Sequence, residues 1–184
     1  MDIAQQRQRL LEIIKKDAYF REKITLSSGK ESDYYVDARL ITLTSEGVFL
    51  CASLILDAIK DIAFDALGGP TLGADPVIGA INVLAHQQDR ELKTFIIRKE
   101  PKGHGRGKMI EGPALKEGAR VIVIDDVATT GKAFLRSIEV LSAMKVRVER
   151  CISIVDRDEG AAQAIQAKGS RLLSLFRAGE IHVG

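Results

Sequence analysis

Fully apolar stretches alternate with amphipathic ones along most of this chain. Residues 3–17 place Ile3, Leu10, Leu11, Ile13 and Ile14 on one broad face, so the spacing predicts an opening helix. The segment "ITLSSGKESDYYVDARL" reads as two short extended pieces around a Ser-Ser-Gly turn. A helix is expected from Thr44, its N-cap, through Ile62, with Leu50, Leu54 and Ile55 at helical spacing. Beyond it the strands "FDALGG", "TFIIR", "RVIVIDDV", "VRVERCISIVD" and "RLLSLF" interleave with the helical stretches "DPVIGAINVLAHQQ", "GKAFLRSIEVLSAM" and "GAAQAIQAKG". Strands that are apolar throughout and separated by helices indicate an α/β fold, a mainly parallel sheet flanked by helices on both faces. Ligands of such sheets bind at the carboxyl ends of the strands.

One connection breaks this rhythm. Residues 99–112, "KEPKGHGRGKMIEG", are long, glycine-rich and basic, and connections of that length in a compact domain are usually functional or disordered. Composition sets the outer limits. A chain of 184 residues with 46% hydrophobic content is expected to form one domain over residues 1–184. Its 27 Lys and Arg against 25 Asp and Glu leave a net charge of +2, which argues against a dedicated nucleic-acid binder. No apolar run reaches membrane-spanning length, and the amphipathic start lacks the apolar core of a signal peptide, so a cytoplasmic protein without a membrane partner is expected. Cys51 and Cys151 sit in apolar settings without metal-ligand spacing and read as buried thiols.

The chemistry concentrates in "VIVIDDVATTGKA". Residues 121–124 read as a buried strand, with Asp125 and Asp126 emerging where it ends. Two carboxylates there can accept hydrogen bonds from the paired hydroxyls of a ribose, or lie near a divalent metal. Thr129, Thr130 and Gly131 open the next helix, where free backbone N–H groups and the positive end of the dipole favour a phosphate. The spacing suits a ribose 5-phosphate. The plainer alternative, in which the acids cap the turn and Thr130 caps the helix, needs four apolar residues, two acids and a Thr-Thr-Gly turn to coincide. The basic stretch "GHGRGK" is not a nucleotide P-loop: it is one residue short between glycines, and Met109 stands where a hydroxyl residue would hold magnesium.

The Asp-Asp-Thr-Thr-Gly stretch resembles the 5-phosphoribosyl 1-diphosphate (PRPP) signature of the type I phosphoribosyltransferases. Arg98 to Gly107, "RKEPKGHGRG", meets the R-K-x-x-K-x-H-G-x-G pattern of the mobile catalytic loop of the orotate phosphoribosyltransferase family. "TLSSGKESDYYVDAR" resembles that family's segment over the base, "GGPTLGADPV" its pyrophosphate loop, and "SIVDRDEGA" the segment whose arginine meets orotate. The resemblance implies a type I phosphoribosyltransferase fold with a small N-terminal hood over about residues 1–40. It implies transfer of ribose 5-phosphate from PRPP to orotate in pyrimidine (UMP) biosynthesis, with Mg2+ held mainly through PRPP near Asp125 and Asp126. It also implies a homodimer whose basic loop is shared between subunits.

Residue by residue, the resemblance assigns PRPP binding to Arg98, Lys99, Lys102 and His104 on the loop. On the signature it assigns the same to Asp125, Asp126, Val127, Ala128, Thr129, Thr130, Gly131, Lys132 and Ala133. Catalysis falls to Lys102, His104, Asp125 and Asp126, the pyrophosphate contact to Thr71, Leu72 and Gly73, and orotate binding to Thr129, Arg157 and Lys30. The chemistry agrees with these roles: the loop's cations can neutralise a departing pyrophosphate, and orotate's carboxylate and carbonyl oxygens are acceptors for a guanidinium fork. Two positions depart from the pattern, because many enterobacterial-type members carry lysines where Ser27 and Gly73 stand. Lys30 is the candidate for the first charge, and backbone N–H groups of Thr71, Leu72 and Gly73 for the second. The family often has a non-proline cis peptide in the pyrophosphate loop, expected here near Thr71 and Leu72.

Three other readings compete, the plainest of which, a structural dimerisation module, leaves the basic loop unexplained. A purine phosphoribosyltransferase should lack the loop pattern and "VDRDEG" together, and both are present. A PRPP-sensing regulator that binds nucleic acid would need a basic docking surface, which a net charge of +2 does not suggest.

Overall fold

The computed structural model describes residues 1–25, 31–101 and 108–182. Lys30, Lys102 and His104 lie outside these residues. Helix α1 (Ile3–Ile13) begins at a capping box in which Asp2 Oδ1 accepts from Gln5 N at 2.8 Å and Gln5 Oε1 accepts from Asp2 N at 3.0 Å. The expected continuation to residue 17 is a π turn over Ile14–Ala18.

The extended pieces that follow form two short antiparallel ladders: β1 (Tyr19–Phe20) pairs with β4 (Tyr35–Val36), and β2 (Ile24–Thr25) pairs with β3 (Glu31–Ser32). After the single turn of α2 (Arg39–Thr42), α3 (Ser45–Ala58) starts where expected, with Thr44 Oγ1 accepting from Gly47 N at 3.2 Å. It stops at Ala58 rather than Ile62. Ile59 leaves helical geometry (φ −105°, ψ 4°) yet stays buried, so the apolar spacing that suggested a longer helix records packing into the core rather than helix.

The remaining elements are β5 (Ala66–Pro70), α4 (Asp75–Gln87), β6 (Thr94–Ile97), β7 (Ile110–Glu111), β8 (Arg120–Ala128), α5 (Lys132–Ala143), β9 (Arg147–Asp156), α6 (Ala161–Gln166), β10 (Leu172–Arg177) and α7 (Ala178–Ile181). They build a six-stranded sheet in the order β10-β9-β8-β5-β6-β7, parallel except for β7, which returns antiparallel to β6. The expected α/β architecture is present. Neither β7, a two-residue strand at the end of the basic connection, nor α7 had a sequence signal long enough to predict it.

Alternation along β8 explains why its sequence is apolar throughout. Ile122 and Ile124 join one buried cluster, with Leu10 of α1, Leu50 and Ile55 of α3 and Ile81 of α4. Val121 and Val123 join the other, with Phe134 and Leu141 of α5 and Ile165 of α6. Each face of the sheet is thus covered by helices, which leaves the strand ends as the place for a site.

The sequence expectation for Asp125 and Asp126 needs one correction. They lie within β8, which runs on to Ala128, rather than beyond its end. The two neighbours of β8 are of unequal length: β5 pairs only with Val121, Ile122 and Val123, whereas β9 accompanies it as far as Ala128. A crevice therefore opens on the β5 side from Ile124 onward. The chain leaves β5 for β6 on one side and returns to β8 on the other, which makes this crevice the topological switch point where α/β sheets bind ligands.

Candidate active site

The crevice is a cleft of about 470 Å³, walled by Tyr35–Arg39 of the hood, the loop Pro70–Gly73, Lys99, Asp125–Val127, Thr129, Ala133 and Arg157. Asp125 is 7% exposed and its Oδ1 accepts from Asp126 N at 3.0 Å, while Asp126 Oδ1 accepts from Val127 N at 2.7 Å. Burial, and then the adjacent charge of Asp126, push the Asp125 carboxyl well above its ordinary range. Burial raises Asp126 too, opposed by the Val127 N–H and the Arg39 charge. Each carboxylate is anchored by one backbone donor and keeps lone pairs for hydroxyl donors in the cleft.

Next to the acids, residues Val127–Phe134 border a recess of about 110 Å³. Gly131 enters α5 in the left-handed region at φ 80°, which calls for glycine, and a Cβ there would also press on Ala161 Cα at 3.2 Å. Among the described residues no side chain caps this helix, which leaves the N–H groups of its first turn available to an anion. Lys132, its first residue, is exposed.

Opposite, the Thr71–Leu72 peptide is cis, at the expected place. Thr71 Oγ1 donates to Asp75 Oδ2 at 2.6 Å and so ties the loop to the start of α4. Gly73 packs directly against the acids: a Cβ on it would lie 2.7 Å from both Asp125 Oδ1 and Asp126 Oδ1.

Arg157 is 5% exposed and follows β9, its N–H bonded to Ala128 O at 2.9 Å. Its Nη2 donates to Ser32 Oγ at 2.7 Å and to Tyr34 O at 3.2 Å. Its Nε lies 3.0 Å from Glu159 Oε1, and its guanidinium carbon stands 4.3 Å from the Tyr34 ring centroid. Among the described residues this Nε makes no hydrogen bond, so its tie to Glu159 is one of charge. The arginine is fixed from three sides by the hood and Glu159 while contributing to the cleft wall.

The cleft thus gathers Thr71, Leu72, Gly73, Lys99, Asp125, Asp126, Val127, Thr129, Ala133 and Arg157 from the sequence candidates. Arg98 is not brought in. Its Nη1 reaches Glu111 Oε1 at 3.2 Å across the β6–β7 hairpin, and it lines an adjoining cavity with Thr71 and Lys99. Ala128, Thr130, Gly131 and Lys132 border the recess beside the acids. Sequence reasoning missed Asp37 and Arg39 as individual residues. The Arg39 guanidinium grips Asp37 at 3.0 and 3.1 Å and holds that carboxyl below its ordinary range, and the Arg39 charge extends to Asp126. The signal was an acid two residues before an arginine inside "YYVDAR", too short to separate from a surface turn.

Among the described residues no three His, Cys, Asp or Glu side chains gather as a metal cage. Two adjacent carboxylates suit a hard cation that takes most of its oxygens from a bound phosphate ester.

Comparison with known proteins places this geometry. The orotate phosphoribosyltransferase of Synechocystis sp. is 39% identical over 179 residues, covering 97% of this chain and 90% of the relative. That of Streptomyces avermitilis is 45% identical over 158 residues, 86% of each chain. The Mycobacterium tuberculosis H37Rv orotate phosphoribosyltransferase superposes with a TM-score of 0.82 at 35% identity in its Fe(III) dicitrate complex, covering 97% of this chain and 99% of the other. Its PRPP complex superposes at 0.79 and 34% identity with the same coverage. No family model matches the chain. Identities of this size over nearly the full length of both partners, together with a shared fold, mean that the chain belongs to the orotate phosphoribosyltransferase family.

Proposed function

We propose that the cleft transfers ribose 5-phosphate from PRPP to N1 of orotate, releasing pyrophosphate and giving orotidine 5′-monophosphate for pyrimidine (UMP) synthesis. The observation that carries this reading is the meeting of three features in adjoining space. These are a buried acid pair, an uncapped helix N-terminus beside it, and an arginine pre-fixed under the hood. The 5-phosphate fits the recess at Thr129–Gly131, where N–H groups of α5 face it. Asp125 and Asp126 accept the ribose hydroxyls and favour the positive charge that builds on the ribose as the bond to pyrophosphate breaks. The M. tuberculosis relative's PRPP complex supports PRPP as the donor.

Pyrophosphate leaves toward the loop of Thr71, Leu72 and Gly73 and toward Lys99. Lys102 and His104, outside the described residues, lie in sequence on the same basic connection. Arg157, helped by Thr129, reads the orotate carboxylate, and Lys30 is a further candidate. Mg2+ would be held mainly through PRPP, near Asp125 and Asp126 but with no direct protein ligand required, and would neutralise phosphate charge there. A homodimer that shares the basic loop fits the exposed apolar side chains of Leu40, Leu43, Phe49 and Val83 around the neighbouring helices α2, α3 and α4. A cytoplasmic setting fits Cys51 and Cys151, both buried free thiols.

The test is kcat/KM for orotate, uracil, adenine, guanine and hypoxanthine side by side. Uracil lacks the carboxylate and leaves buried donors unpaired at about 1–3 kcal/mol per group, so orotate should lead by at least about tenfold. Purine turnover equal to or above that of orotate would overturn the reading.

A further inference from the structure

The contacts that hold Arg157 do not end at the hood. Beyond α7, His182 places Nδ1 3.0 Å from the Tyr19 hydroxyl, and its ring stands edge-on to Tyr34 at 4.5 Å between centroids and 70° between planes. Tyr19 stacks on Tyr34 at 5.6 Å. Tyr34 then offers its ring face to the Arg157 guanidinium and its carbonyl to Arg157 Nη2, the group that Ser32 also holds. A continuous run of contacts therefore leads from residue 182 to the arginine of the cleft.

His182 is itself held in place. Ile181 is 1% exposed, Glu180 Oε2 takes Arg7 Nη2 at 2.5 Å, and Arg177 pairs with Asp158, the residue after Arg157. The His182 ring, by contrast, is exposed and does not line the cleft, so it adds little burial and touches no substrate there. What it does supply is a fixed polar and edge-on partner for two stacked tyrosines, one of which sets the plane of a recognition arginine. Because Tyr34 meets Arg157 through both ring and carbonyl, a tilt of that residue disturbs two contacts at once.

We infer that His182 is a positioning residue for the base: through Tyr19 and Tyr34 it fixes the Arg157 guanidinium in the orientation that reads orotate. The inference rests on the proposed role of Arg157, and the kinetics below separate the two. Orotate and PRPP are varied independently with the full chain carrying His182→Ala, His182→Asn or Tyr19→Phe, and each variant's thermal midpoint is recorded. His182→Ala should raise KM for orotate about tenfold, below the ~10²-fold that a full 1 Å misplacement can cost, with KM for PRPP and the thermal midpoint unchanged. His182→Asn keeps a hydrogen-bonding atom near the place of Nδ1 and should recover most of the affinity; Tyr19→Phe should raise KM for orotate in the same direction. An unchanged KM for orotate in His182→Ala, an equal rise for both substrates, or a loss that tracks a fall in thermal midpoint would overturn the inference. A wild type that turns over PRPP with another base but not with orotate would overturn the assigned reaction first.

Discussion

Replacing Gly73 by alanine adds one methyl group between the cleft's loop and its acid pair. That methyl would stand 2.7 Å from Asp125 Oδ1, 2.7 Å from Asp126 Oδ1 and 2.8 Å from Asp126 Cγ, where ordinary contact begins at 3.4 Å, so loop and acids must separate by about 0.7 Å. The acids cannot simply swing away. The two oxygens that the methyl would strike are those that accept from Asp126 N at 3.0 Å and Val127 N at 2.7 Å, and a hydrogen bond to a charged group contributes about 1.5–3 kcal/mol. A displacement approaching 1 Å in a positioned group costs up to about 10²-fold in rate, or roughly 2.7 kcal/mol. Gly73→Ala should therefore lower kcat/KM for PRPP by about 30- to 100-fold, and Gly73→Lys, which installs the enterobacterial-type residue, should be no better. Steady-state kinetics with PRPP varied at saturating orotate, with thermal melts alongside, provide the assay. Activity within threefold of wild type in Gly73→Ala would refute the reasoning, because the loop would then stand clear of the acids when the enzyme works.

The acid pair also predicts a conflict between stability and activity. The folded-state pKa of Asp125 is raised, so the stability this group confers is present at low pH and is lost as pH rises from the ordinary carboxylate value of 3.8 through the folded value. Asp125→Asn without ligands should thus melt higher than wild type at neutral pH, by at least the ~2 °C that about 1 kcal/mol gives a chain of this size, with the gap closing in acid. Its kcat should fall about 10²- to 10³-fold. A lower melting temperature at neutral pH would contradict the raised pKa. Mixing Lys102→Ala with Asp125→Asn subunits should restore activity in hybrids that hold one intact site. Hybrids verified by mass yet as inactive as their parents would place the basic loop over its own subunit's cleft.

Much of this was readable before the fold was known, for physical reasons that differ by element. The parallel sheet was legible because strands buried on both faces must be apolar throughout, as in residues 121–124. The start of α3 was legible because Thr44 bonds a backbone N–H only three residues away. The phosphate recess was legible because its turn needs a glycine at positive φ. What stayed hidden depends on partners far along the chain. Asp125 and Asp126 lie in a strand and still face a cleft because β5 stops pairing with β8 at Val123. Arg98 precedes the other loop cations in sequence but turns to Glu111 because β7 brings that carboxylate alongside. Nothing near His182 in sequence signals Tyr19, 163 residues away.

That one cleft joins orotate to the ribose of PRPP is tested most directly by mass spectrometry of the products from wild-type protein given orotate, PRPP and Mg2+. Wild type should form orotidine 5′-monophosphate and pyrophosphate in equal amounts, and a folded Asp125→Asn, Asp126→Asn double variant should form almost none. Failure of folded wild type to make the nucleotide, or equal yield from the double variant, would contradict the assignment of the reaction to this acid pair.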